Sequence, residues 1–177
     1  IMAKGIPGGV PPIAIDVNMG CPVPKVYGNG EGSALMRDPE KIRRILLALR
    51  GATDLPVTVK LRAGIDPAHK NAAECAVAAE EGGAALIAVH GRTRSEFYGG
   101  HADRAVIAEV KRAVKIPVIA NGDIVAATDA LSVLRETGAD GVMIGRGAVG
   151  NPFLFEEIRA ALDGTAYPPP TKEERAE

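Results

Sequence analysis

Five short apolar runs in this chain each end in a chemically useful or glycine residue: Cys21, Lys60, His90, Asn121 and Gly145. The steps between them are 39, 30, 31 and 24 residues. Amphipathic patterns fill the intervals. Buried strands alternating with helices at roughly 30 residues per unit are the signature of parallel βα units joined by right-handed crossovers. A doubly wound sheet and a (β/α)8 barrel both satisfy that spacing. The polar strand ends favour the barrel, in which every strand points into one ring of catalytic loops. The predicted fold class is therefore α/β, a partial (β/α)8 TIM barrel with about five βα units.

The local signals agree. Asp38 is a good N-cap and Pro39 suits the first helical position, while Ile42, Ile45, Leu46 and Leu49 recur at helical spacing before Gly51. Further helices are expected over about 71–81, 102–114, 126–137 and 151–162, with Gly82, Gly83 and Gly138 as stops. Strands are expected over 13–18, 57–61, 85–89, 117–120 and 141–144. A full barrel takes about 250 residues and eight strands, so a chain of 177 residues is expected to be part of a longer protein.

Composition narrows the class. With 46% hydrophobic residues, 24% charged residues and a net charge of −1, the chain has apolar mass for one core. Disorder, collagen and long coiled coil are excluded. No run of eighteen apolar residues occurs, and the opening residues Ile1, Met2, Ala3 and Lys4 lack a signal-peptide pattern, so a cytoplasmic location is expected. Cys21 and Cys75 are expected to be reduced. The near-neutral charge argues against a surface that grips nucleic acid everywhere, and leaves room for a local basic patch.

The strand ends carry the chemistry. Cys21 follows a strand and precedes Pro22 and a glycine-rich loop, where a thiol is available as proton donor or nucleophile; the alternative is a small packing residue. Cys75, among Ala72, Ala76, Ala78 and Ala79, reads as core. Lys60 lies on a strand whose other face is Val and Leu, so its ammonium requires a carboxylate or an electron-rich ligand. His90, Arg92 and Arg94 concentrate charge at the same rim. Asn121-Gly122-Asp123 and Gly145-Arg146-Gly147 place glycine loops at consecutive strand ends, where barrels bind phosphate.

Taken in order, Asp16-Val17-Asn18-Met19-Gly20-Cys21-Pro22 with Lys25 and Val26, Val59-Lys60-Leu61-Arg62, His90-Gly91-Arg92-Thr93-Arg94, Asn121-Gly122-Asp123-Ile124 and Gly145-Arg146 resemble the tRNA-dihydrouridine synthases over residues 13–158. The resemblance implies an FMN-dependent barrel that reduces a uridine of tRNA with NADPH as reductant. Cys21 would donate a proton to C5 of the uracil, with hydride arriving at C6. It also implies that Lys60, His90, Asn121, Gly122, Asp123, Gly145 and Arg146 hold FMN, and that Asn18, Lys25, Arg62, Arg92 and Arg94 meet the RNA. No metal is expected. Residues 1–165 would then be the C-terminal part of the FMN-binding barrel domain, and 166–177 the start of a linker to a helical domain. Two other readings stand beside it: a flavin barrel acting on a free pyrimidine, and a non-catalytic remnant.

Overall fold

Pro56 lacks an N–H and ends the preceding turn, and from Val57 the chain extends with Val57, Val59 and Leu61 on one face and Thr58, Lys60 and Arg62 on the other. That strand organises the sheet. The computed structural model describes residues 10–168 and 170–171. In chain order its elements are β1 (Ile15–Asn18), α1 (Pro24–Gly28), a 3-10 turn (Gly32–Arg37), α2 (Pro39–Ala52), β2 (Val57–Arg62), β3 (Gly64–Asp66), β4 (His69–Lys70) and α3 (Ala72–Glu81). There follow β5 (Leu86–His90), α4 (Arg104–Ala113), β6 (Val118–Asn121), α5 (Ala127–Thr137), β7 (Gly141–Met143), a 3-10 turn (Arg146–Ala148) and α6 (Leu154–Leu162).

The main sheet runs β1-β2-β5-β6-β7, with every neighbouring pair parallel. Its order follows the sequence without reversal. The helices pack in the same order, α2 on α3, α3 on α4, α4 on α5 and α5 on α6, so they form one layer on one face. A doubly wound sheet would divide them between both faces. Sequential winding with a single helical layer is the arrangement of a (β/α)8 barrel, here over five parallel strands.

The core lies between that layer and the sheet. Val57, Val59, Leu61, Ile87, Val89 and Val118 meet Ile42, Leu46, Ala76, Val106, Ile107 and Val110, all buried. The alanine face of α3 lets it pack closely, and Cys75 is buried there, its thiol 3.5 Å from the Met36 carbonyl and pushed up to about 12 by burial. The opposite face of the sheet carries Asp16, Asn18, Thr58, Lys60, His90 and Asn121, the residues that a barrel turns inward.

The expected elements are present within a few residues. The helix expected from 102 begins at Arg104, because the Asp103 carboxylate caps it at Ala105 N–H. The helix expected from 151 begins at Leu154. The short helix α1, the Gly32–Arg37 turn and the β3–β4 hairpin lie outside the expected elements. Of the segment expected as a linker, only 166–168 and 170–171 are among the described residues.

Candidate active site

The chain turns out of β1 through a pair of small bonds. Asn18 Oδ1 accepts from Gly20 N–H at 3.1 Å, and Met19 N–H donates to the Lys60 carbonyl at 2.9 Å, burying the Met19 side chain. Cys21 follows at once, half-buried, its thiol free. Its carbonyl accepts two bonds from Ser33, from N–H at 3.1 Å and Oγ–H at 2.8 Å. The thiol is thus held at the wall of a recess of about 330 Å³ that Asn18, Lys60, His90 and Tyr98 also line.

A second cavity of about 470 Å³ adjoins it through Arg62, His90 and Tyr98. Asn121, Asp123, Gly145 and Arg146 stand in its wall, so the two glycine loops recognised in the sequence meet in one place. Gly122 sits at φ +122°, and a Cβ there would stand 2.6 Å from Ala102 Cβ and 2.9 Å from His90 Cδ2, so glycine is required. Asn121 Nδ2 donates to the Met143 carbonyl at 2.8 Å, tying β6 to the end of β7.

The wall of the thiol recess carries two cations, Lys60 and Arg62. Lys60 is drawn down to about 8, first by loss of water and then by Arg62, with Asp16 opposing. Among the described residues no carboxylate pairs with it: Nζ reaches the Leu61 carbonyl, at 3.4 Å, while the Asp16 carboxylate takes the Thr58 hydroxyl at 2.6 Å. Burial chiefly, then Lys60, Arg62 and Arg92, push His90 down to about 3 against the pull of Asp123. It is neutral at physiological pH. An electron-rich or anionic ligand is what this wall accepts.

The arginines differ from one another. Arg62, 4% exposed, donates from Nε to the Gly20 carbonyl at 2.9 Å and from one terminal nitrogen to the Thr93 and Phe97 carbonyls at 2.9 and 3.0 Å. Arg92, expected to meet RNA, is 2% exposed and held by Asp123 and the carbonyls of Gly99 and Gly100. A guanidinium so enclosed has no face for a macromolecule. Arg94 lies 3.9 Å over the ring of Tyr27, outside both cavities, and Lys25 is exposed on α1, also outside them. Asp123 is held low by Arg92 and by Ala102 N–H at 2.7 Å, against the effect of burial, so its carboxylate serves the protein rather than an incoming anion.

Sequence reasoning missed Tyr98. It lines both cavities, packs edge-on to Phe97 with ring centres 5.2 Å apart, and lies under the guanidinium of Arg146 at 4.7 Å. The signal available was one aromatic pair inside a polar loop of a chain only 3% aromatic. Ser33 was missed as well.

Comparison with known proteins gives a consistent result. The family model described as Dihydrouridine synthase (Dus) matches residues 12–177. A probable tRNA-dihydrouridine synthase of Rhodobacter capsulatus is 53% identical over 154 residues, covering 87% of this chain and 48% of that protein. The tRNA-dihydrouridine synthase B of Xanthomonas axonopodis pv. citri is 52% identical over 158 residues, covering 89% of this chain and 48% of its own length. The chain thus spans about half the length of the curated relatives it matches. Among solved structures, a lactate oxidase of Pediococcus acidilactici matches with a TM-score of 0.55 at 24% identity, over 85% of this chain and 48% of that one. A phosphonomutase-like protein of Burkholderia cenocepacia matches with a TM-score of 0.54 at 20% identity, over 93% and 82%. At these identities the structural matches speak for the fold alone.

Proposed function

From the premise that the chain belongs to the dihydrouridine synthase family, we propose that its site serves the reduction of a uridine in tRNA to 5,6-dihydrouridine. FMN would be the cofactor and NADPH its reductant. The observation that carries the proposal is the sharing of Arg62, His90 and Tyr98 between the thiol recess and the cation-lined cavity: a proton donor and an anion-accepting wall open on each other.

The residues fit a flavin mononucleotide. Gly122 lets the β6 loop pack against His90 and Ala102, Gly145 has open space where a Cβ would be, and Arg146 is 61% exposed, held by the Tyr98 ring at 4.7 Å and by a distant contact, 3.9 Å, to Asp123. Backbone N–H groups and Arg146 are the donors for a phosphate. Lys60, lacking a carboxylate, is free to neutralise charge on an electron-rich ring. When bound, the flavin supplies hydride to C6 of the uracil.

The chain's own residues supply the rest. Cys21 Sγ–H gives its proton to C5, leaving a thiolate that solvent reprotonates. Asn18 and Ser33 hold the loop on which that thiol stands. The uridine must leave its stack to reach a recess of this size, and Tyr98 at the mouth offers a surface for an unstacked base. With tRNA as substrate, the protein would work in the cytoplasm. Among the described residues no helix is long and apolar enough to cross a membrane, and no His, Cys, Asp and Glu cluster has the makings of a metal site.

The full-length protein, given FMN, NADPH and unmodified tRNA, is expected to form dihydrouridine, read by mass spectrometry of nuclease digests. Turnover of free uridine or uracil at comparable kcat/KM, with tRNA inert, would overturn the reading in favour of a free-pyrimidine enzyme. A protein that takes up no flavin would overturn it in favour of a non-catalytic remnant.

A further inference from the structure

Arg92 makes an unusual set of contacts for a side chain at a strand end. Its Nε donates to the Gly99 carbonyl at 2.8 Å; one terminal nitrogen donates to the Gly100 carbonyl at 2.7 Å and Asp123 Oδ2 at 3.0 Å; the other lies 2.8 Å from Asp123 Oδ1 and 3.5 Å from Nε2 of His90. A guanidinium has five N–H groups and no acceptor. Four of these contacts are hydrogen bonds and the fifth is an ion pair with Asp123, and the longest falls on an imidazole nitrogen.

We propose that Arg92 is a positioning residue that fixes the tautomer of His90, leaving the lone pair on Nε2 and the proton on Nδ1, so that His90 presents a permanent hydrogen-bond donor to the cavity. A guanidinium can only donate, so a hydrogen bond at this contact needs Nε2 to accept. A proton on Nε2 would set N–H against N–H at a contact enclosed by protein, His90 being 8% exposed and Arg92 2%. The Cδ2–Nε2 edge of the ring packs towards Gly122, so closely that a Cβ there would stand 2.9 Å from Cδ2 and 3.2 Å from Nε2. Nδ1 has no protein partner among the described residues, and His90 stands in the wall of both cavities.

The charges facing the ring act in the same direction. Lys60 and Arg62 on β2 and Arg92 beyond β5 all oppose an imidazolium, and Asp123 after β6, the carboxylate that favours one, is occupied by Arg92. His90 therefore offers a neutral N–H through the working pH range instead of a titrating group. The ligand group it fits is a hydrogen-bond acceptor, such as a ring nitrogen or carbonyl oxygen of a heterocycle. Naming the heterocycle as flavin or uracil rests on the proposed function; the tautomer does not.

Long-range proton–nitrogen spectra of the full-length 15N-labelled protein give the test, with the His90 signal assigned by its loss in His90→Gln. The expected spectrum has a pyrrole-type Nδ1 and a pyridine-type Nε2, unchanged as pH falls from about 8 to 5. A protonated Nε2, or an imidazolium in that range, overturns the proposal on the wild-type protein alone. In Arg92→Met the tautomers are expected to mix and flavin affinity, read by fluorescence quenching, to fall about tenfold. Weaker flavin binding with the tautomer unchanged would mean that Arg92 only holds loops together, and would overturn it too. A protein that makes no dihydrouridine would end the proposed function and leave the tautomer result standing.

Discussion

Arg62 Nε lies 2.9 Å from the carbonyl oxygen of Gly20, across 42 residues of chain, so one buried side chain of β2 fixes the turn that ends in Cys21. Its other donors reach Thr93 and Phe97 on the loop that carries Tyr98. Phe97 holds a left-handed backbone at φ +56°, a conformation that costs of order 1–3 kcal/mol for a residue with a side chain. Arg62→Lys keeps a charge and loses the fork, so a loss of about 1–3 kcal/mol in urea unfolding is expected. Arg62→Ala leaves three carbonyls unpaired and is expected to cost more. Unfolding midpoints that match the wild type in both variants would refute this account of the loop.

The two cysteines should respond oppositely. Cys21 is half-buried and lies outside the hydrophobic core, so Cys21→Ala is expected to leave stability within about 1 kcal/mol. Dihydrouridine formation should fall by about 10²–10⁴-fold, the usual worth of a placed general acid. Cys75 is buried on α3, and Cys75→Ala is expected to cost about 1–2 kcal/mol and leave the rate per folded molecule unchanged. Rate assays normalised to bound flavin, beside denaturation curves, separate the two effects.

Most of the fold was legible because buried parallel strands are apolar runs with abrupt ends. Residues 85–89 and 117–120 were recognisable for that reason, and the single layer of helices followed once the order of strands was known. The hairpin of β3 and β4 was not legible, since three residues against two give no periodicity. Short helix α1 and the Gly32–Arg37 turn read as a glycine-rich loop. Cys21, His90 and the two glycine loops were recognisable as strand ends. The work of Arg92 was not, because its partners are backbone carbonyls and a carboxylate presented by a distant loop, and an arginine at a rim gives the same local pattern whether it is buried or exposed. Tyr98 lies in that same loop, so its place over the cavities depends on the fold of residues 94–102.

Acid should weaken the protein through His90. Its folded value, about 3, lies below the ordinary 6.5, so below about pH 6.5 the unfolded chain binds a proton that the folded chain refuses. The full stability is present above that range and is lost as pH falls towards 3, with a slope approaching 1.4 kcal/mol per pH unit for one proton. The difference in unfolding free energy between wild type and His90→Asn removes the contribution of the carboxylates, which act at lower pH. That difference is expected to change between about pH 6.5 and 4, with the wild type losing ground; a constant difference would contradict the burial argument.

Lys60 gives the opposite trade between stability and binding. Burial and Arg62 draw its ammonium down to about 8 from 10.5, so at pH 7 the folded protein keeps a charge that its surroundings disfavour and that Asp16 offsets only in part. Lys60→Met has similar length and no charge, and is expected to raise unfolding free energy at pH 7 by an amount on the order of 1–3 kcal/mol. The sign with pH follows. Between pH 8 and 10.5 the wild-type folded state sheds its proton before the unfolded state does, so wild-type stability rises and the advantage of the variant shrinks. Flavin retention should move the other way, since the variant loses the cation that faces an electron-rich ring. Purified Lys60→Met is therefore expected to be more stable and paler than wild type. A variant that is less stable at pH 7 would mean that the ammonium has a partner in the folded protein, and one that binds flavin as tightly would remove Lys60 from the site.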